Sequence, residues 1–122
     1  MAEQRQLPPE VQQALVEYEN LRNTLAKVEA ELRLTESELA EIEDILANLK
    51  ELPDDVEVYK SVGHVLFRKK KEDVIKELEE RKELLQIKQQ KYKNQVELLR
   101  KQVSEAEKKL RDLLARYGIK VG

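Results

Sequence analysis

Apolar residues recur at alternating spacings of three and four along the first fifty positions, with charged residues filling the gaps. One position of a seven-residue repeat holds Val11, Tyr18, Leu25, Leu32, Leu39 and Leu46; the other holds Ala14, Leu21, Val28, Thr35, Ile42 and Leu49. Only Thr35 is polar. A heptad sustained this long predicts a coiled-coil helix, not a helix lying on a globular core. Leu7-Pro8-Pro9-Glu10 opens it, because proline in a first turn gives up an N–H that has no intrahelical partner. Leu52 to Asp55 closes it, because the residue before Pro53 is driven out of helical geometry. The predicted helix covers about 9–52.

A second heptad occupies the other half of the chain. Ile75, Lys82, Gln89, Val96, Val103 and Leu110 alternate with Leu78, Leu85, Tyr92, Leu99, Ala106 and Leu113. Glu72 and Asp73 suit a first turn, where the helix dipole favours negative charge. Gly118 suits a terminator, so the predicted helix covers about 72–117. Each helix is about 45 residues, or roughly 65–70 Å at the helical rise. Equal lengths predict two helices folded back antiparallel. Setting polar Thr35 opposite polar Gln89 fixes a register with Leu39 opposite Leu85, Leu25 opposite Leu99 and Val11 opposite Leu113. Small residues then face large ones at Ala14 with Leu110 and at Tyr18 with Ala106, as packing requires. Ile42 with Lys82 is the mixed layer; the lysine stem packs while its charge reaches water. This register puts the fold-back near Val62.

There the pattern changes. Val58 to Arg68, "VYKSVGHVLFR", is dense in residues that favour strands. Gly63 tolerates positive φ, so Ser61 to His64 is the expected turn of a β-hairpin over about 56–69. A two-stranded hairpin is marginal in water, and its unpaired edges invite another chain. Val58, Tyr59, Val62, Gly63, Val65, Leu66 and Phe67 are therefore expected to join hairpins of other subunits in a shared sheet or barrel. The competing arrangement packs the hairpin on its own coiled coil. The expected fold is mainly α: an antiparallel two-helix coiled coil with one β-hairpin at the fold-back end, its hairpins forming an oligomeric β-barrel hub.

Composition narrows the chemistry. In 122 residues, 39% are charged and only 4% aromatic, the profile of long amphipathic helices in a single domain spanning 1–122. Net charge is -2, from 23 basic and 25 acidic residues, which argues against bulk attraction to nucleic acid or anionic lipid. There is no Cys and one His, so no disulfide and no transition-metal site is expected; His64 reads as a turn residue. With 3 Gly in the chain, no phosphate-cradling loop and no cofactor is expected. Neither a membrane-spanning run nor signal-peptide character is visible, and a cytoplasmic protein is expected. The basic run Arg68 to Lys71 reads as a solvated edge. Glu79 with Lys82 reads as support within one helix. Nothing in the sequence points to an enzyme.

"LPPEVQ" at Leu7 to Gln12, "LPDDVEVYKSVGHVLFRKKKEDVIKELEERKELL" at Leu52 to Leu85, and the flanking heptads resemble the β-class subunit of archaeal prefoldin. The resemblance spans nearly the whole chain, and the hairpin between balanced helices carries most of its specificity. It departs from the family at the start of the second helix, where Lys69 to Lys71 replace a more usual Thr or Asp cap. It implies a hetero-hexamer of two α-class and four β-class prefoldin subunits, with hairpins in a double barrel and coiled-coil arms hanging from it. It also implies ATP-independent capture of non-native polypeptides and their delivery to a group II chaperonin, without nucleic acid or membrane.

Client contact is expected where the seam frays at the free helix ends. Leu7, Val11 and Leu15 lie near one end; Leu113, Leu114, Tyr117, Ile119 and Val121 lie near the other. Leu15 and Leu114 fall off the seam and add apolar surface outside it. Val11 and Leu113 are seam residues and read first as completing the coiled coil. Two other readings stay open: a structural adaptor that oligomerises through its hairpin and docks one partner, and a nucleic-acid binder using Arg68 to Lys71.

Overall fold

A computed structural model of the chain describes residues 7–120. Helix α1 runs Pro9–Glu51, strand β1 Val58–Val62, strand β2 Val65–Lys69 and helix α2 Lys71–Arg116. Two compact units divide the chain, one drawn from 1–31 and 92–122, the other from 32–91. They are called here the terminal unit and the hairpin unit. Among the described residues no helix is long and apolar enough to cross a membrane.

In the hairpin unit the helices pack through Leu39, Ile42, Leu46 and Leu85, with Ile75 and Leu78 against them. Leu39 thus shares a cluster with Leu85, and Leu46 with Leu78. Polar contacts across the seam have the same sense. Lys50 meets Glu79 at 3.2 Å, Lys82 meets Glu43 at 4.0 Å, and Gln89 Nε2 donates to Glu36 Oε2 at 3.0 Å. Partner numbers fall on one helix as they rise on the other, so the pair is antiparallel. One expectation changes here. The carboxylate of Glu79 and the ammonium of Lys82 each pair across to α1, not with each other, because the flanks of a seam bring the facing helix within reach. Gln89 reaches out to Glu36, while Thr35 itself is buried. Arg81 grips Glu38 with two bonds, of 2.8 and 3.2 Å. That bidentate bond holds the Glu38 carboxyl below its ordinary value. Its contribution to stability is therefore present above the usual carboxylate range and is lost as pH falls through the lowered value.

Between the helices, Val56 N–H donates to Pro53 C=O at 3.2 Å, turning the chain through Asp54 and Asp55. The strands pair antiparallel, from Val58 with Lys69 to Val62 with Val65. The reversal needs only Gly63 and His64, not the four residues Ser61 to His64. Gly63 has φ of 59° and His64 does not enter the left-handed region, the type II′ pattern whose twist matches that of the strands. Ser61 and Val62 consequently join the ladder.

Helix α2 begins at Lys71, whose side chain is buried. Its Nζ donates to Leu52 C=O at 2.6 Å and to Asp54 Oδ1 at 3.3 Å. The expectation of a solvated basic edge thus fails at Lys71. A carbonyl just past a helix C-terminus carries negative partial charge and lacks an intrahelical donor, and Lys71 supplies both charge and donor. It fastens the exit of α1 to the entrance of α2.

In the terminal unit, Val11, Ala14 and Leu113 form a second cluster. Arg100 meets Glu29 at 3.0 Å and Lys109 meets Glu17 at 3.7 Å. None of the heptad seam positions of either helix is exposed, whereas Leu34, Leu84, Ile87 and Leu98, all off the seam, are.

Leu85 is 2% exposed and its neighbour Leu84 61%. Leu85→Ala should cost about 2–5 kcal/mol by leaving a cavity, and Leu84→Ala no more than about 0.5 kcal/mol. Urea unfolding followed by helix content measures both, and equal effects would overturn the seam assignment.

Candidate functional site: an open hairpin and a closed terminal core

Side chains alternate between the faces of a strand, and directly paired residues share a face. One face of the hairpin therefore carries Val58, Val62, Val65 and Phe67 together with Lys60 and Lys69. The other carries Tyr59, Ser61, Leu66 and Arg68. Both lysines of the first face reach Glu77 on α2, at 3.4 and 3.9 Å. On the second face Glu57 uses both carboxylate oxygens, accepting from Tyr59 Oη at 2.7 Å and Arg68 Nη1 at 3.0 Å. The Glu57 bond pushes the Tyr59 hydroxyl above its ordinary pKa, so it stays a donor at neutral pH.

Those polar anchors leave the apolar side chains open. Tyr59, Val62, Val65, Leu66 and Phe67 are all at least half exposed, Leu66 by 66%, and only Val58 is partly covered. Six apolar side chains in ten strand residues, spread over both faces, cannot be buried by a two-stranded sheet, which has no second layer. A Cβ on Gly63 would meet nothing within 4 Å, so that position requires glycine for its φ and not for space.

The terminal unit is built the opposite way. The expected fraying of the seam is absent: Val11 is 0% exposed and Leu113 5%. Both are enclosed with Ala14, and Leu7, Leu110, Leu114 and Ile119 pack around them. As folded, neither Val11 nor Leu113 offers surface to a partner; both complete the unit's own core. Leu7, Leu15, Leu114 and Ile119 are partly buried, and Tyr117 is exposed. Tyr117 Oη donates to Glu10 Oε2 at 2.9 Å, which joins the end of α2 to the start of α1 and raises the Tyr117 pKa. Val121 lies outside the described residues. Sequence reasoning passed over Val16, 55% exposed one position after Leu15; its place off the seam was the available signal.

The described residues include no group of His, Asp and Glu arranged to hold a metal ion, and His64 sits exposed in the hairpin turn. What the structure presents is contact surface. A helix pair carrying an uncovered β-hairpin offers apolar and main-chain groups as contact surface.

The prefoldin subunit family model matches residues 12–117. The chain is 41% identical over 111 residues to prefoldin subunit beta of Sulfurisphaera tokodaii, covering 91% of this chain and 89% of that protein. Against prefoldin subunit beta of Sulfolobus acidocaldarius it is 40% identical with the same coverage. The crystal structure of the prefoldin beta subunit from Thermococcus strain KS-1 superimposes with a TM-score of 0.79 at 28% identity, over 89% of this chain and 96% of that one. The chain belongs to the prefoldin subunit family, a family of molecular chaperones that act in protein folding.

Gly63→Ala should destabilise the hairpin by about 1–2 kcal/mol, the cost of holding an L-residue in the left-handed region. Hydrogen exchange of the strand amides should accelerate, while the helix amides keep their protection. Unchanged strand exchange would mean that another turn geometry is available.

Proposed function

We propose that this chain is a β-class prefoldin subunit whose hairpin enters a shared β-barrel hub with hairpins of other subunits. The observation that carries this reading is the hairpin itself, with five of its six apolar side chains at least half exposed on two faces. A side chain left half exposed has about 1 kcal/mol still to gain from full burial, so joining hairpins turns a marginal element into a stable one. The outer edges of β1 and β2 offer main-chain groups for the same association. The partner is an α-class prefoldin subunit, in a hetero-hexamer of two α and four β subunits.

In this reading the assembly is an ATP-independent holdase. It captures non-native polypeptides in the cytoplasm through apolar groups of the terminal unit (Leu7, Leu15, Leu114, Tyr117 and Ile119 foremost) and delivers them to a group II chaperonin. Val11 and Leu113 contribute only once that unit opens. Several copies around one hub would hold a client through many weak contacts at high effective concentration. No reaction is catalysed and no cofactor is used.

Mixed with an α-class subunit, the chain should give one discrete species of two α and four β subunits by native mass. Without ATP, that species should suppress aggregation of several unrelated unfolded proteins. Phe67→Asp should return the chain to subunits that keep their helix content but lose the protection. A monomer or simple dimer, both alone and with the α-class subunit, or protection of one partner only, would replace this reading with that of a structural adaptor.

A further inference from the structure

The end of α2 is closed by a reversed turn. Gly118 has φ of 66°; its N–H donates to Ala115 C=O at 3.1 Å, and the Ile119 N–H donates to Leu114 C=O at 2.8 Å. This is the Schellman pairing, which brings the residue after the glycine back onto the last helical turn. Here the returning residue is Ile119, and its side chain packs on the cluster of Val11, Ala14 and Leu113. The apolar surface at this place is therefore covered by the chain's own aliphatic side chain, borne by a segment outside any helix.

We propose that Ile119 is a displaceable lid: it occupies, within the chain, the position that an aliphatic side chain of a non-native polypeptide takes when bound. This inference rests on the holdase reading above. The in-place occupant defines the ligand chemistry, a side chain of the Ile, Leu or Val class. Among the residues of the Val11 cluster, Leu113 also lines a neighbouring recess with Glu10, Glu105, Lys108, Lys109, Asp112 and Arg116, charges of both signs. Two backbone bonds at a helix end and one partly buried side chain are what hold the lid, and such ends open at low free-energy cost. Val11, Ala14 and Leu113 sit within helices, so the surface beneath survives when the lid leaves. Because the lid and the ligand compete, apparent affinity falls by the fraction of time that the lid is open.

The test uses the assembled protein and a fluorescein-labelled, unstructured peptide rich in Leu and Ile. Ile119→Ser removes the occupant, and Gly118→Val undoes the turn while leaving Ile119 in the chain. Both should bind the peptide about three- to tenfold more tightly than wild type, with helix content unchanged. Equal or weaker binding by both variants overturns the lid while leaving the holdase reading intact. Failure of wild type and both variants to bind overturns both. A measurement on the wild type needs no variant to fold: saturating peptide should abolish the exchange protection of the Ile119 amide, and retained protection at saturation overturns the lid.

Discussion

Each helix here has a single narrow apolar stripe, and every stable feature of the chain follows from the need to cover it. At two apolar positions in seven, neither α1 nor α2 can bury enough surface alone to outweigh the cost of ordering a chain so rich in charge. Set against each other, the stripes close: Leu39, Ile42, Leu46 and Leu85 in the hairpin unit, and Val11, Ala14 and Leu113 in the terminal unit. The ion pairs flanking the seam are mostly solvent-exposed and each contributes little to stability. Their value lies in register, since a slip of one residue would separate Arg81 from Glu38 and Lys50 from Glu79.

The hairpin inverts this economy. Its two faces are anchored by polar contacts, Glu57 with Tyr59 and Arg68 on one, and Glu77 with Lys60 and Lys69 on the other. Its apolar side chains point to surfaces that no part of the hairpin unit fills. A sheet strand has two edges and two faces, and an isolated pair satisfies one edge of each strand. In the assembly proposed above that unfinished state has a meaning, because a subunit can leave incomplete what its neighbours supply. Lys71 makes the arrangement sturdy where the chain passes from α1 through the hairpin to α2: a buried cation bound to Leu52 C=O and Asp54 fixes both helix ends to one point. At the start of α2, Lys70 C=O accepts from the N–H groups of Asp73 and Val74.

In the holdase proposed above, the terminal unit would keep its apolar groups from associating indiscriminately. Open apolar groups would draw subunits to each other as readily as to a client. Val11 and Leu113 are buried, and Leu7, Leu15, Leu114 and Ile119 are partly covered. The Tyr117 to Glu10 bond adds a polar tie across the same helix ends.

Much of this was determined by the sequence alone. The heptads named every residue of both seams, because burial in a helix pair depends on spacing, which one chain displays. The strand-rich run with Gly63 named the hairpin, because local propensity and one backbone conformation suffice for it. The tertiary structure decided what depends on neighbours distant in sequence. It shortened the turn to Gly63 and His64, since ladder pairing of Ser61 and Val62 is settled by the facing strand. It buried Lys71, a residue that composition assigns to solvent, because a helix end required a cation. It redirected Glu79 and Lys82 to the facing helix, and it closed the seam over Val11 and Leu113 where fraying was expected. At the same place the turn at Gly118 folds Ile119 back onto the Val11 cluster, a contact between residues more than a hundred positions apart that no periodicity records.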